Sequence, residues 1–109
     1  MTDITVAELM SKMPKAFRPE EAQGVDTTLQ YHLTGDEGGD WIVRIQDGQC
    51  TVADGIAENP NVTLTADAQD YKDVILGKTN AMQAFMMGKL KLAGDLALAM
   101  KLPNFFKMG

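Results

Sequence analysis

Asp47-Gly48 separates two runs whose apolar residues recur at every second position, and that dipeptide is the strongest short-range sign of a two-residue hairpin turn. Such a turn sets a register: Ile45 faces Cys50 and Val43 faces Val52, which puts Cys50 on an aliphatic face as a small hydrophobe rather than a reactive thiol. Upstream, the same period of two sends Val25, Thr27, Leu29, Tyr31 and Leu33 to one side. It sends Asp26, Thr28, Gln30, His32 and Thr34 to the other, so this is a half-buried strand. The Gly-rich turn GDEGGD links it to a second strand, Trp41 to Gln46. Val62-Thr63-Leu64-Thr65, following Asn59-Pro60, supplies a further strand. Together these segments predict an antiparallel meander with one apolar face.

Helical signals flank the strands. Thr5-Val6-Ala7-Glu8 has capping-box spacing and opens a helix carrying Val6, Leu9, Met10 and Met13, expected to stop before Pro14. Lys15 to Gly24 reads as an irregular connection. Asp67 caps a helix toward Leu76, with Ala68, Tyr71, Val74 and Ile75 on one face and Gly77 as its stop. Thr79 or Asn80 caps another, stopped by Gly88. It bears Ala81, Met82, Ala84, Phe85, Met86 and Met87, leaving almost no polar stripe, so something is expected to cover two of its sides. GKLKLAG alternates Lys89 and Lys91 with Leu90 and Leu92, the pattern of an edge strand with its lysines outward. Asp95 caps a last short helix with stripes Leu96/Met100 and Leu98/Leu102; Pro103 is expected to break it and leave an apolar tail, Asn104 to Lys107.

At 109 residues, the chain is expected to form one domain around one core. Its net charge of -5 argues against a nucleic-acid footprint, which needs clustered Lys and Arg. With no basic and apolar leader at MTDITVAELM, no span of about twenty apolar residues and a single cysteine, the expected place is the cytoplasm. His32, the only histidine, falls on an outward strand face with no Ser or Cys nearby in sequence, and Ser11 is the only serine. No phosphate loop, metal cluster or EF-hand spacing occurs, and Asp36-Glu37-Gly38-Gly39-Asp40 reads as a solvated hairpin tip. The chain therefore reads as a non-enzyme without cofactor or metal.

The segment Ala81 to Met108 presents more apolar sides than one sheet face can satisfy. Three readings compete for that excess: filled core, a surface for another protein, and the wall of an apolar cavity. Eight methionines favour an adaptable cavity, because flexible unbranched side chains reshape around different ligands.

GKTNAMQAFMMGKLKLAGDLALAMKL, from Gly77 to Leu102, resembles the C-terminal signature of the sterol carrier protein 2 family, the non-specific lipid-transfer proteins. The likeness rests on Gly77-Lys78 then Asn80, on Ala84-Phe85, Gly88-Lys89-Leu90-Lys91 and Gly94-Asp95, and on Ala99-Met100-Lys101-Leu102. Trp41-Ile42-Val43 before the Asp47-Gly48 turn, and Val62-Thr63-Leu64-Thr65 before Ala66-Asp67, are similar to the family's central strands; the first forty residues match only in pattern. The resemblance implies an α+β fold: a five-stranded, mostly antiparallel sheet covered on one face by about four or five helices, with an apolar tunnel between the layers. It also implies a carrier of fatty acid, fatty acyl-CoA or sterol, a monomer or weak dimer with transient membrane contact. The chain departs from the family's peroxisomal members by ending in Lys107-Met108-Gly109 instead of a peroxisomal address, so a peroxisomal location is not expected.

Affinity in such a tunnel needs no catalytic group. A buried methylene contributes about 0.8 kcal/mol, so a dozen supply roughly 10 kcal/mol before association costs. Candidate lining residues are Met82, Phe85, Met86, Leu90, Leu92, Leu98, Met100, Leu102, Phe105 and Phe106, with Leu29, Tyr31, Val43, Ile45, Val62 and Leu64 from the sheet. Arg18 and Gln23, before the first strand, are candidates for meeting an anionic head group. The rival function is a protein-interaction or dimerisation domain that uses the apolar C-terminal segment.

Overall fold

A computed structural model describes residues 5–105. Its elements in chain order are α1 (Val6–Ala16), a 3-10 turn (Pro19–Glu21), β1 (Thr27–Thr34), β2 (Gly39–Gln46), β3 (Gln49–Asp54), β4 (Val62–Asp67), α2 (Ala68–Ile75), α3 (Ala81–Met86), β5 (Leu90–Gly94) and α4 (Leu96–Phe105). The fold is α+β, with one five-stranded sheet in the order β3-β2-β1-β4-β5. The hairpin forms as its turn dictates. Asp47 (φ 54°) and Gly48 (φ 72°) both take left-handed backbone, and Ile45 pairs with Cys50 and Val43 with Val52.

The meander expectation is corrected at β4. This strand pairs parallel to β1, with Leu29 beside Val62 and Tyr31 beside Leu64, on the side of β1 opposite β2. A hairpin links only strands that run in opposite directions, so the chain from Gly55 to Asn61 must cross the sheet instead. Gln30 holds that crossing. Its side-chain amide donates to the carbonyls of Gly55 (3.0 Å) and Trp41 (3.3 Å), and its Oε1 accepts from the Ala57 N–H at 2.6 Å. A residue on the polar face is therefore buried, its polar atoms satisfied by the backbone that covers it. Asn61 closes the crossing: its N–H donates to the Thr28 carbonyl at 2.7 Å, and its Oδ1 accepts from the Thr28 N–H at 2.9 Å.

The helices cover the other face, which carries Leu29, Tyr31, Leu33, Val43, Ile45, Val62 and Leu64. Caps follow the sequence: Thr5 Oγ1 accepts from the Glu8 N–H, Asp67 from Gln69 and Asp70, and Asn80 from Met82 and Gln83. Asp95 Oδ1 accepts from the Leu98 N–H. Both proline breaks are corrected. Pro14 stands inside α1, which continues to Ala16, and α4 continues to Phe105 rather than ending before Pro103. A proline removes one helical hydrogen bond, and in each case it falls in the closing part of a helix held by buried residues elsewhere. Val6 and Met10 anchor α1, while Phe105 is buried at the end of α4 and its carbonyl accepts from the Arg18 N–H at 2.6 Å.

The acidic hairpin tip differs from its expected solvated state. Glu37 reaches α1 and α2 together: it accepts from the Val6 N–H at 2.9 Å and from Lys72 Nζ at 2.9 Å. It thus satisfies an otherwise unpaired amide of the first helical turn and partners a lysine side chain that is only 5% exposed. The Lys72 hydrogen bond, and after it the Val6 N–H, hold the Glu37 carboxyl below its ordinary 4.5 against the opposing effect of desolvation. A carboxyl lowered in the folded state stabilises fully above its unfolded value, and that contribution drains away as pH falls through the folded value. Glu37→Gln is expected to lower the thermal midpoint at pH 7. Its deficit relative to the parent chain should shrink steadily in melts taken below pH 4.5.

Candidate functional site

The sheet register assembles the inner face into rows that run across strands. One row is Val52, Val43, Leu29 and Val62; the next is Trp41, Tyr31, Leu64 and Leu92. A third joins Cys50, Ile45 and Thr27. Of the predicted lining residues, Leu29, Tyr31, Val43, Ile45, Val62, Leu64, Leu90 and Phe105 are buried, and Leu92 and Leu98 are half-buried. Phe106 and the Leu102 side chain lie outside the described residues.

Apart from Phe105 at the end of α4, the fully buried side chains described on the C-terminal helices are small. α3 buries Ala84 and α4 buries Ala99, whereas the large apolar side chains beside them stay uncovered. Met82, Phe85, Met86, Met87, Leu96 and Met100 are exposed, from 41% at Phe85 to 78% at Met86. The expectation that both remaining sides of α3 are covered is therefore corrected. The helix is only six residues long, and its contacts run to β5 and α2. Filled core does not account for these side chains, because a core residue is removed from water and these are not.

Two tyrosines place polar atoms inside the apolar layer. The rings of Tyr31 on β1 and Tyr71 on α2 meet edge to face, with centroids 5.7 Å apart and planes at 82°. Burial raises both phenols far above the usual tyrosine range. The sequence placed Tyr71 on the apolar face of its helix, but only the parallel β1/β4 pairing brings α2 over Tyr31. Nearby, burial pushes the Cys50 thiol up to about 11, which keeps it protonated and inert. The Thr27 hydroxyl, buried at the start of β1, has no hydrogen-bond partner.

The head-group candidates have acidic neighbours. Arg18 lies near two carboxylates, Glu20 at 3.4 Å and Glu21 at 3.7 Å. Gln23 lines an open groove of about 330 Å³ together with Pro19, Gly24, Val25, Asp26, Asp47 and Gly48, where the two aspartates disfavour an anion. On the outer face, exposed His32 pairs with Asp40 through Nδ1, and Ser11 Oγ donates to the Glu8 carbonyl at 2.7 Å inside α1. Among the described residues, no group of three or more His, Cys, Asp and Glu is arranged to hold a metal ion, and no helix is long and apolar enough to cross a membrane.

The sequence profile of the SCP-2 sterol transfer family matches residues 7–107. Hydroxysteroid dehydrogenase-like protein 2 of Xenopus tropicalis is 36% identical over 100 residues, covering 84% of this chain and 24% of that protein. Human sterol carrier protein 2 is 34% identical over 70 residues, covering 64% of this chain and 13% of that protein. Among solved structures, palmitated SCP2L2 of Aedes aegypti superposes with a TM-score of 0.71 at 31% identity, covering 94% of this chain and 91% of that one. The chain thus spans a quarter or less of these two longer relatives.

The contrast between seated and uncovered apolar residues is measurable by urea unfolding. Phe105→Ala is expected to cost about 3–5 kcal/mol as a core truncation, whereas Met87→Ala should change stability by no more than about 0.5 kcal/mol.

Proposed function

Because the chain belongs to the SCP-2 sterol transfer family, we propose that it is a lipid-binding domain without catalysis of its own, which holds a fatty acid, fatty acyl-CoA or sterol-like molecule against the inner face of its sheet. One observation carries this reading. Before the buried Phe105 that ends α4, the C-terminal helices bury only Ala84 and Ala99 among their described residues, while Met and Phe side chains stand uncovered beside them. A layer held at alanine contacts can part, and methionines can repack around an acyl chain or a ring system without a fixed shape.

Leu64, Leu92 and Leu98, where the inner face meets β5 and α4, are the lining residues nearest that seam, with Phe85 at its α3 side. In this reading the buried Tyr31 and Tyr71 would offer their hydroxyls to a polar atom of the ligand. Transfer of the ligand to a membrane or to an enzyme is part of the proposal, because relatives such as hydroxysteroid dehydrogenase-like protein 2 carry a matching region within a longer chain. Buried, unpaired Cys50 suits a compartment that keeps thiols reduced, and the proposed place is the cytoplasm.

The uncovered side chains favour one second reading, a protein-interaction or dimerisation domain, because an exposed apolar patch is also what a partner protein would use. Titration of delipidated protein with a fluorescent long-chain fatty acid separates the two. Saturable binding to a single site per chain, displaced by unlabelled fatty acid, acyl-CoA or sterol, is the expected result. A folded protein with no saturable binding would leave the interaction reading.

A further inference from the structure

Thr27 opens β1 on its inner side, in the row it shares with Ile45 and Cys50, and it is only 3% exposed. Among the described residues its Oγ1 is the one buried side-chain polar atom without a hydrogen-bond partner. A hydroxyl so placed has given up its contact with water for nothing in return, and an apolar side chain of the same shape, valine, would avoid that cost. Packing alone therefore does not call for threonine here.

The other polar groups of the inner layer share one property: they carry no charge. Burial keeps Tyr31, Tyr71 and Cys50 neutral. The buried cation among the described residues, Lys72, is committed to Glu37 at 2.9 Å. Arg18 lies beside Glu20 and Glu21, and exposed Arg44 meets Asp26 at 3.3 Å and the outer-face Thr28 hydroxyl at 2.7 Å. Asp26 and Asp47 line the groove at the Thr27 end of β1. A carboxylate or phosphate drawn into this layer would leave water and meet no free cation, whereas an alcohol or ester loses less hydration and a single hydrogen bond compensates it.

α4 marks a path to this hydroxyl. It packs on β5 and β4 and also on the 3-10 turn that leads toward β1, where the Phe105 carbonyl accepts from the Arg18 N–H at 2.6 Å. Its 10 residues span about 15 Å. The inner face has a matching diagonal: Leu92 to Thr27 is two strand spacings across and four residues along, about 16 Å, a length that a long alkyl chain covers. We propose that the lipid lies along this diagonal with its polar end hydrogen-bonded to Thr27 Oγ1, and that Thr27 selects lipids ending in an uncharged hydroxyl or ester over those ending in carboxylate or phosphate. A threonine hydroxyl both donates and accepts, so it serves either uncharged end. The inference rests on the lipid-carrier reading and narrows its ligand class.

Displacement of the fluorescent fatty acid at pH 8 by hexadecanol, methyl palmitate and palmitate tests it. The two uncharged lipids should compete at concentrations about tenfold or more below palmitate. Thr27→Val should weaken hexadecanol about three- to tenfold, the loss of one hydrogen bond, and leave palmitate within about twofold, so the preference narrows. Thr27→Ser, which keeps the hydroxyl, should restore it, and Tyr31→Phe should leave it unchanged. A merely structural role for Thr27 would move all three lipids alike. Equal or stronger competition by palmitate in the parent chain would overturn the proposal while leaving the carrier reading in place. So would an unaltered preference in Thr27→Val, which would assign the hydroxyl to a buried water, or a preference lost in Tyr31→Phe instead, which would put the polar end at the tyrosines. Absence of saturable binding of the fluorescent fatty acid to the parent, with no lipid competing, would remove the carrier reading itself.

Discussion

An apolar sheet face has to be kept from water, and here α3 and the α4 turn that carries Ala99 bury only alanines against it. Ala84 and Ala99 let short helices approach closely, yet each contact removes little apolar area from water, so it adds little stability. The heavier cover lies elsewhere: Val6 and Met10 of α1 over the β3 side, Tyr71 of α2 over Tyr31, and Phe105 at the end of α4. The molecule is therefore unevenly sealed, firm around β1 and β2 and thin around β5. Where burial is smallest, local opening costs least, and a guest that needs room between the layers would enter there.

That division depends on β4 lying parallel to β1. The crossing before it frees β5 to form an edge, and it places α2 and α4 at opposite ends of β4, with an inner-face row between them. Gln30 makes the arrangement stable by serving the backbone of the crossing with both ends of its amide. Glu37 does comparable work at the other end, joining α1 and α2 to the first hairpin.

Much of this was legible in the residues. Period-two alternation located β1, Asp47-Gly48 set the β2/β3 register, the lysine-leucine alternation marked β5 as an edge, and the caps Thr5, Asp67, Asn80 and Asp95 opened the helices where expected. Strand partners were not legible, because Val62 to Thr65 has the same alternation whether it pairs with β3 or β1; the meander failed for that reason. Gln30 and Glu37 were invisible for a related one. Each looks like an ordinary polar surface residue until a distant segment is laid against it. Among the candidate lining residues, alternation identified the inward side of every strand correctly. In α3 it had no purchase, because a helix apolar on all sides does not say which side is seated, and the answer, Ala84, is one of its two alanines.

The central claim is that a lipid occupies the space between the inner sheet face and the C-terminal helices. Intermolecular nuclear Overhauser contacts between palmitate and methyl-labelled protein test it most directly. Contacts from the acyl chain to Leu64, Leu92 and Leu98, with none to the outer-face Thr28 and Thr51 methyls, are the predicted result. Contacts confined to the exposed Met86 and Met87 methyls, with the inner leucines silent, would place the lipid on the surface and contradict the account.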